Sequence, residues 1–334
     1  MRQRISLLLF VICLSVSCHE EDYLHGFSSD SLFATPTQQE LDAVVNNWKA
    51  RDLSAKNYSV VQTAEVFPDI TLKIVSYTVS GHTEYGALLI PKSTSALPVH
   101  TFIGGFGIDS PINGVKLVID QTFFDDPFIF VVPALRGQSV RIMVNDVAYS
   151  SPTSEGEHCE AFDGAADDAI ALLNIVESTE QTADMNRVAV RGGSRGGTVA
   201  LLIGERDKRV KLTIGVAGPT NMMELTSKNE NDRTYQCQFL SDLANGSALA
   251  DVRHKMIASS PIFFAKDLPK TQLHLAANDV IVPVSQGEEL KDVINNLGQS
   301  AAFEMFIYEG RDHSNIADGN TEMNDRITLF LKQL

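Results

Sequence analysis

The segment Arg191-Gly192-Gly193-Ser194-Arg195-Gly196-Gly197 directly follows a short apolar run, Val188-Ala189-Val190. Glycine in the interior of a strand or helix is unfavourable by roughly 0.5–1 kcal/mol relative to alanine. Four glycines around one serine therefore demand a backbone geometry that offsets the cost. A buried strand turning at once into a helix supplies it. Gly192-Gly193-Ser194-Arg195-Gly196 fits the G-x-S-x-G elbow, in which a strained turn holds the serine hydroxyl in the open. The residues two before and two after the serine must lack bulk, which accounts for Gly192 and Gly196. The backbone N–H of Arg195, at the helix N-terminus, is then a candidate donor to a developing oxyanion. A glycine-rich strand–helix turn of the phosphate-binding type would suit the same segment, so the remainder of the chain has to decide.

A serine nucleophile needs a base, and the base an orienting acid. With this elbow they follow in the order serine, acid, histidine, each just past a strand. Asp279 lies just past the apolar run ending at Ala277, within Asn278-Asp279-Val280-Ile281-Val282-Pro283. His313 lies just past the apolar run Phe303–Tyr308, within Glu309-Gly310-Arg311-Asp312-His313-Ser314. Taken singly, Asp279 is a helix cap and His313 a loop histidine; taken with Ser194 they form a candidate catalytic triad. Asp312 is the alternative acid, although adjacent side chains point poorly at each other.

The rest of the pattern supports a parallel sheet. Val99–Ile103, Phe128–Val132, Val188–Val190, Leu212–Val216, Leu273–Ala277 and Phe303–Tyr308 are short continuous apolar runs. Helical stretches separate most of them; Ala165, Ala166, Ala169, Ile170, Leu173 and Val176 mark one. Such runs predict strands buried on both faces, with helices covering each side. Upstream, Thr37-Gln38-Gln39-Glu40 is a capping box before Leu41, Val44, Val45 and Trp48 at helical spacing. Tyr58–Pro91 alternates as an antiparallel edge. The chain of 334 residues is read as a single domain over 37–334, interrupted by an insertion at about 219–261 that lies over the sheet.

These residues resemble an α/β-hydrolase, and most closely the catalytic domain of the prolyl oligopeptidase family. The Gly-Gly-Ser-x-Gly-Gly elbow, Asp-x-x-Val-Pro at Asp279–Pro283, Gly-x-x-His at Gly310–His313 and Ser260-Pro261-Ile262 carry the likeness. The resemblance implies a mostly parallel sheet of about eight strands with helices on both faces, and Ser-His-Asp catalysis through an acyl-enzyme. It departs from the family in having no room for a propeller. It has Ile103-Gly104-Gly105-Phe106-Gly107 where His-Gly-Gly is common, and no tyrosine just beyond. The second oxyanion donor is therefore expected from the backbone at Gly105 or Phe106, although a plain turn at Gly104-Gly105 would give the same sequence. Leu135-Arg136-Gly137-Gln138 resembles the Arg-Gly-Gln turn of acetyl xylan esterases, with Arg136 tying loops together near the site.

The N-terminus carries a different message. Met1-Arg2-Gln3-Arg4 is basic, Ile5–Val16 is apolar and too short for a comfortable membrane span, and Ser15-Val16-Ser17-Cys18 follows. This resembles a bacterial lipoprotein-type signal over 1–18, with Cys18 as the lipidated residue; an ordinary secretory peptide is the alternative. His19–Pro36 is expected to be a polar tether. Export to the cell envelope, in the periplasm or on the outer surface, leaves Cys159 and Cys237 as a possible disulfide in an oxidising compartment.

Net charge is −15 and no basic stripe occurs, which argues against nucleic acid as a partner. The eight histidines are scattered, none at i, i+4, so no metal site is expected. No nicotinamide fingerprint occurs, and no cofactor is expected. The expected activity is a serine peptidase or carboxylesterase acting on small peptides or esters, rising through roughly pH 6–7 as histidine becomes neutral. A carbohydrate-ester deacylase is the second enzyme reading. A binding module on a retired hydrolase scaffold is the non-enzymatic one.

Overall fold

The computed structural model describes residues 22–334, the side chains of 113–116 excepted. The signal segment and Cys18 lie outside the described residues. Twelve strands form in chain order: β1 Lys56–Phe67, β2 Ile70–Val79, β3 His82–Pro91, β4 Leu97–Ile103, β5 Ile112–Ile119, β6 Ile129–Ala134, β7 Ser139–Val144, β8 Val147–Ser150, β9 Ala183–Gly193, β10 Val210–Val216, β11 Lys270–Ala276 and β12 Phe303–Tyr308. Nine of them make one sheet, ordered β1-β2-β3-β6-β4-β9-β10-β11-β12. β1, β2 and β3 form an antiparallel arm joined antiparallel to β6. From β6 to β12 every pairing is parallel. The large sheet thus has nine strands, against the eight or so expected.

The apolar runs owe their continuity to covering layers on both faces. On one face Val188 and Val190 of β9 pack with Ala169, Leu172 and Leu173 of the helix Asp163–Thr179 and with Val199 and Ile203 of the helix Arg195–Arg206. On the other face Ala189, Leu212 and Ile214 meet Met323, Ile327 and Phe330 of the helix Thr321–Leu331. All of these side chains are buried.

Two features differ from the sequence reading. The crossover from β4 to β6 contains no α-helix. It runs through β5 and a 3-10 turn, Gln121–Phe124, and β5 pairs with β7, which pairs in turn with β8, in a separate three-stranded sheet. Val140 and Ile142 of β7 fill that sheet's inner face against Phe124, Phe128 and Phe130. The expected tether is docked, with Tyr23, Leu24 and Phe33 packed against the main core. A short helix, Ser29–Leu32, buries Leu32 completely, and the Arg253 guanidinium donates to the carbonyls of Ser31, Leu32 and Ala34. The serine-rich average of the segment hid the apolar side chains that anchor it, Leu32 foremost. Arg253 also grips Glu40 at 2.7 Å, and that hydrogen bond holds the Glu40 carboxyl down at about 2.

The segment between β10 and β11 folds into helices Met222–Lys228 and Leu249–Ala258 with short turns between. Met222, Phe239, Val252 and Met256 join the same core as Val199. The segment therefore packs into the core with the sheet's helices. Cys159 and Cys237 are bonded, with Cα atoms 5.4 Å apart, which clips it to the loop ahead of the helix Asp163–Thr179.

Candidate active site

β9 ends at Gly193 and the helix begins at Arg195, so one residue makes the whole turn. That residue is Ser194, at φ 54° and ψ −127°. Positive φ in a non-glycine residue is uncommon and strained. The surroundings enforce it. The Ser194 N–H donates to the Val216 carbonyl at 2.8 Å, and the Ser194 carbonyl accepts from the Gly197 N–H at 2.8 Å. A Cβ at Gly192 would run into the backbone carbonyl of Gly196, and one at Gly196 would run into that of Ile103. The glycines two before and two after the serine are thus required by close backbone approach.

His313 stands five residues past β12 and Asp279 three past β11. Both strands run parallel to β9, so all three side chains come from strand C-termini on one rim of the sheet. His313 Nε2 lies 2.9 Å from Ser194 Oγ, and His313 Nδ1 lies 2.7 Å from Asp279 Oδ2. An ionised carboxylate only accepts, so Nδ1 carries the proton and Nε2 is left to accept from the serine hydroxyl. The other Asp279 oxygen accepts from the backbone N–H groups of Ile281 and Val282, at 2.9 and 2.8 Å. The Asp279 side chain is fully buried, whereas His313 keeps a partly open edge. Asp312, the alternative acid, instead accepts from Ser314 and Asn315 in its own loop. It therefore shapes the histidine turn without touching the imidazole.

The loop after β4 comes up against the elbow. A Cβ built on Gly105 would lie 3.6 Å from the Ser194 Cβ. Gly105 and Phe106 thus sit beside the nucleophile, opposite the N-terminus of the helix that starts at Arg195. The sequence reading of Arg195 concerned its backbone alone; the structure gives its side chain a second task. The guanidinium is buried and donates to the Gly104 carbonyl at 3.0 Å, the Gly105 carbonyl at 2.9 Å and Gln138 Oε1 at 3.0 Å. It also lies under the Phe106 ring, 5.7 Å from the centroid. Burial pulls it down to about 9, against the attraction of Asp168, so it is still a cation at neutral pH. Only the x in G-x-S-x-G could have hinted at this, and that position is read as freely variable.

Around this centre, Arg136 bridges Asp168 at 2.8 Å and Glu160 at 2.5 Å, tying the turn after β6 to the helix Asp163–Thr179. That turn also positions Gln138, the third acceptor for Arg195. The His158 ring packs at a tilt against Phe106 with ring centroids 4.8 Å apart, and burial lowers its pKa. From the 219–261 segment, Tyr235 approaches closely enough to feel Asp279; burial, then Asp232 and Asp279, push its phenol up to about 12. Among the described residues, no cluster of His, Cys, Asp and Glu is placed to hold a metal ion. Among them, too, no helix is long and apolar enough to cross a membrane.

The sequence pattern of the prolyl oligopeptidase family matches residues 162–334, which span the elbow, the acid turn and the histidine turn. The chain belongs to that family. It is a serine hydrolase with the α/β-hydrolase fold. No curated protein matches the sequence. Among solved structures, the fold is similar to an acetyl xylan esterase from Paenibacillus sp. R4, at 18% identity and a TM-score of 0.63, over 91% of this chain and 98% of that one. It is similar to acetyl xylan esterase 1 from Thermoanaerobacterium sp. JW/SL YS485, at 15% identity and a TM-score of 0.65, over 91% and 98%. It is also similar to dipeptidyl peptidase 4 from Porphyromonas gingivalis, at 16% identity and a TM-score of 0.58, over 86% of this chain but 37% of that one. At these identities the likeness is one of fold. This prolyl oligopeptidase family member therefore spans nearly the full length of the two esterases and a minority of the peptidase.

Proposed function

We propose that this chain hydrolyses small carboxylic esters through a Ser194–His313–Asp279 triad and an acyl-enzyme. The single observation that carries the proposal is the unbroken relay from Ser194 Oγ to His313 Nε2 at 2.9 Å and from His313 Nδ1 to Asp279 at 2.7 Å. His313 takes the hydroxyl proton as Ser194 Oγ bonds to the acyl carbon, and the carbonyl electron pair moves onto oxygen. Backbone N–H groups of Arg195 and of Gly105 or Phe106 stabilise that oxyanion. His313 then gives the proton to the departing alkoxide. Water, deprotonated by the same imidazole, attacks the acyl-enzyme, and Ser194 is regenerated as the free acid leaves. Asp279 holds the imidazole in one tautomer and steadies its cationic form.

Ester substrates are favoured over peptides by two observations. The chain spans 98% of the two acetyl xylan esterases whose fold it shares, and Arg136–Gln138 resembles the Arg-Gly-Gln turn of acetyl xylan esterases in general. Acetylated saccharides are the substrate class we assign. Peptide amides are the second reading, favoured by membership of the family itself.

The test compares p-nitrophenyl acetate, acetylated xylo-oligosaccharides and proline-containing dipeptide anilides, with wild type and Ser194→Ala. Turnover of the acetyl esters by wild type alone is expected. Faster turnover of the anilides would reverse the substrate assignment, and equal background rates for both proteins on every substrate would return the chain to a binding role.

We further propose that residues 1–18 direct export and that Cys18 carries lipid, fixing the enzyme at a membrane surface in the cell envelope. The Ser15-Val16-Ser17-Cys18 ending supports this, and the Cys159–Cys237 bond suits an oxidising compartment. Metabolic labelling with radioactive palmitate should mark wild type and leave Cys18→Ser unlabelled. Label on neither protein would leave an ordinary secretory signal.

A further inference from the structure

Three residues before the nucleophile, β9 places a cation where the triad has no use for it. Arg191 points to the opposite sheet face from Val188 and Val190, the face shared with Ala189. Register puts Phe102 of β4 directly beside it, and its guanidinium lies 5.5 Å from that ring's centroid. Among the described residues, no hydrogen bond or ion pair engages this guanidinium. Burial lowers its pKa, and no carboxylate acts against that shift. Arg191 is half-buried, and its guanidinium lines a cavity with no protein anion among the described residues to neutralise it.

Arg191 lines a cavity of about 610 Å³ between the sheet, the Gln121–Phe124 turn and the end of the helix Thr321–Leu331. That size suits a small ligand. Phe123, Phe128 and Phe130 form an aromatic wall, with Phe123 packed edge-on to the other two. His100 stacks on Phe128 with ring centroids 4.0 Å apart, and among the described residues no hydrogen bond engages its ring nitrogens. Burial first, then Arg191, holds His100 down at about 3, so it is neutral and has one N–H to donate. At the mouth, Asp126 pairs loosely with Lys332, and Asp125 is exposed beside it. None of the lining residues belongs to the triad or to the Gly104–Phe106 loop.

We infer that this cavity is a second ligand site, separate from the triad, which takes a monocarboxylate with an apolar, phenyl-sized body. The guanidinium and the imidazole N–H bind the carboxylate, and the phenylalanines cover the body. The acidic mouth repels a second negative charge. A free aromatic acid and the C-terminus of a peptide ending in an apolar residue present the same chemistry.

Calorimetric titration of the full chain carrying Ser194→Ala, which removes the candidate nucleophile, tests the inference. The probes are 4-phenylbutyrate, 4-phenylbutan-1-ol and N-acetyl-glycyl-phenylalanine. Saturable one-to-one binding of 4-phenylbutyrate is expected, with the alcohol at least about tenfold weaker because it cannot accept the paired charged hydrogen bonds. Adding Arg191→Met should weaken the acid to the level of the alcohol. The acid-to-alcohol ratio needs no change at Arg191, so it stands even where that variant misfolds. Tighter binding of the peptide than of the free acid would identify a chain terminus as the ligand. The inference is overturned if no saturable binding occurs at millimolar acid, if the alcohol binds equally well, or if a well-folded Arg191→Met variant binds the acid as tightly. It is also overturned if 4-phenylbutyrate competes with ester substrate in the wild type, which would place it at Ser194. Loss of hydrolysis alone would bear on the triad and leave this site untouched.

Discussion

The Arg195 guanidinium donates to the Gly105 carbonyl at 2.9 Å, so the residue after the nucleophile also holds the loop that faces the nucleophile. In the proposed mechanism its backbone N–H serves one side of the oxyanion site, while its side chain holds the Gly104–Gly105 loop on the other. Arg195→Met keeps the apolar stem and removes every donor. Loss of a preorganised oxyanion site costs about 10²–10³-fold in kcat. We expect a fall of that order with KM changed less than about threefold, because the interaction serves the transition state. Lysine at this position should recover part of the loss. Steady-state kinetics on p-nitrophenyl acetate checks it, and a kcat within about twofold of wild type would refute the positioning role.

Two neighbouring carboxylates give opposite expectations. Asp279 lies 2.7 Å from His313 Nδ1, whereas Asp312 caps its own loop. Asp279→Asn should lower kcat by about 10⁴-fold, since the amide favours the wrong imidazole tautomer. Asp312→Asn should leave kcat within about threefold and affect mainly thermal stability, by roughly 1 kcal/mol for a weakened turn. A reversed order would move the acid to Asp312.

The Cys159–Cys237 bond closes a loop with a sequence separation of 78. Chain-entropy arguments give about 4.5 kcal/mol of stabilisation for a loop of this length. The Cys159→Ser/Cys237→Ser double variant should therefore unfold at markedly lower denaturant concentration, as should wild type in dithiothreitol. The change should also release the 219–261 segment, raising its amide exchange ahead of the sheet's. Identical midpoints with and without reductant would show that the bond contributes nothing.

Glu84 is buried on β3, and its Oε2 has no hydrogen-bond partner among the described residues. Burial, then Asp168, pushes its carboxyl up to about 9 from an ordinary value of 4.5. The folded chain keeps this proton between those values while the unfolded chain releases it. Its contribution is therefore complete below about pH 4.5 and declines as pH rises towards 9. Glu84→Gln imitates the protonated form. Wild type and variant should match near pH 4, and the variant should be more stable by roughly 3 kcal/mol at pH 7. Chemical denaturation at the two pH values checks this, and a constant difference would mean that Glu84 does not titrate across the range.

The sequence alone determined the strand runs, the elbow and the order serine, acid, histidine, because these depend on local constraints. Apolar continuity marks strands covered on both faces, and Gly192 and Gly196 are dictated by backbone contacts within one turn. Sequence could not show which acid faces His313, since Asp279 and Asp312 both flank strand ends and only the packing of β11 beside β12 decides. Nor could it show that Arg195 reaches across 90 residues to Gly105, that Leu32 anchors the presumed tether, or that β5, β7 and β8 make a second sheet. Each depends on contacts between segments distant along the chain, whose free energy is realised only when the whole core closes.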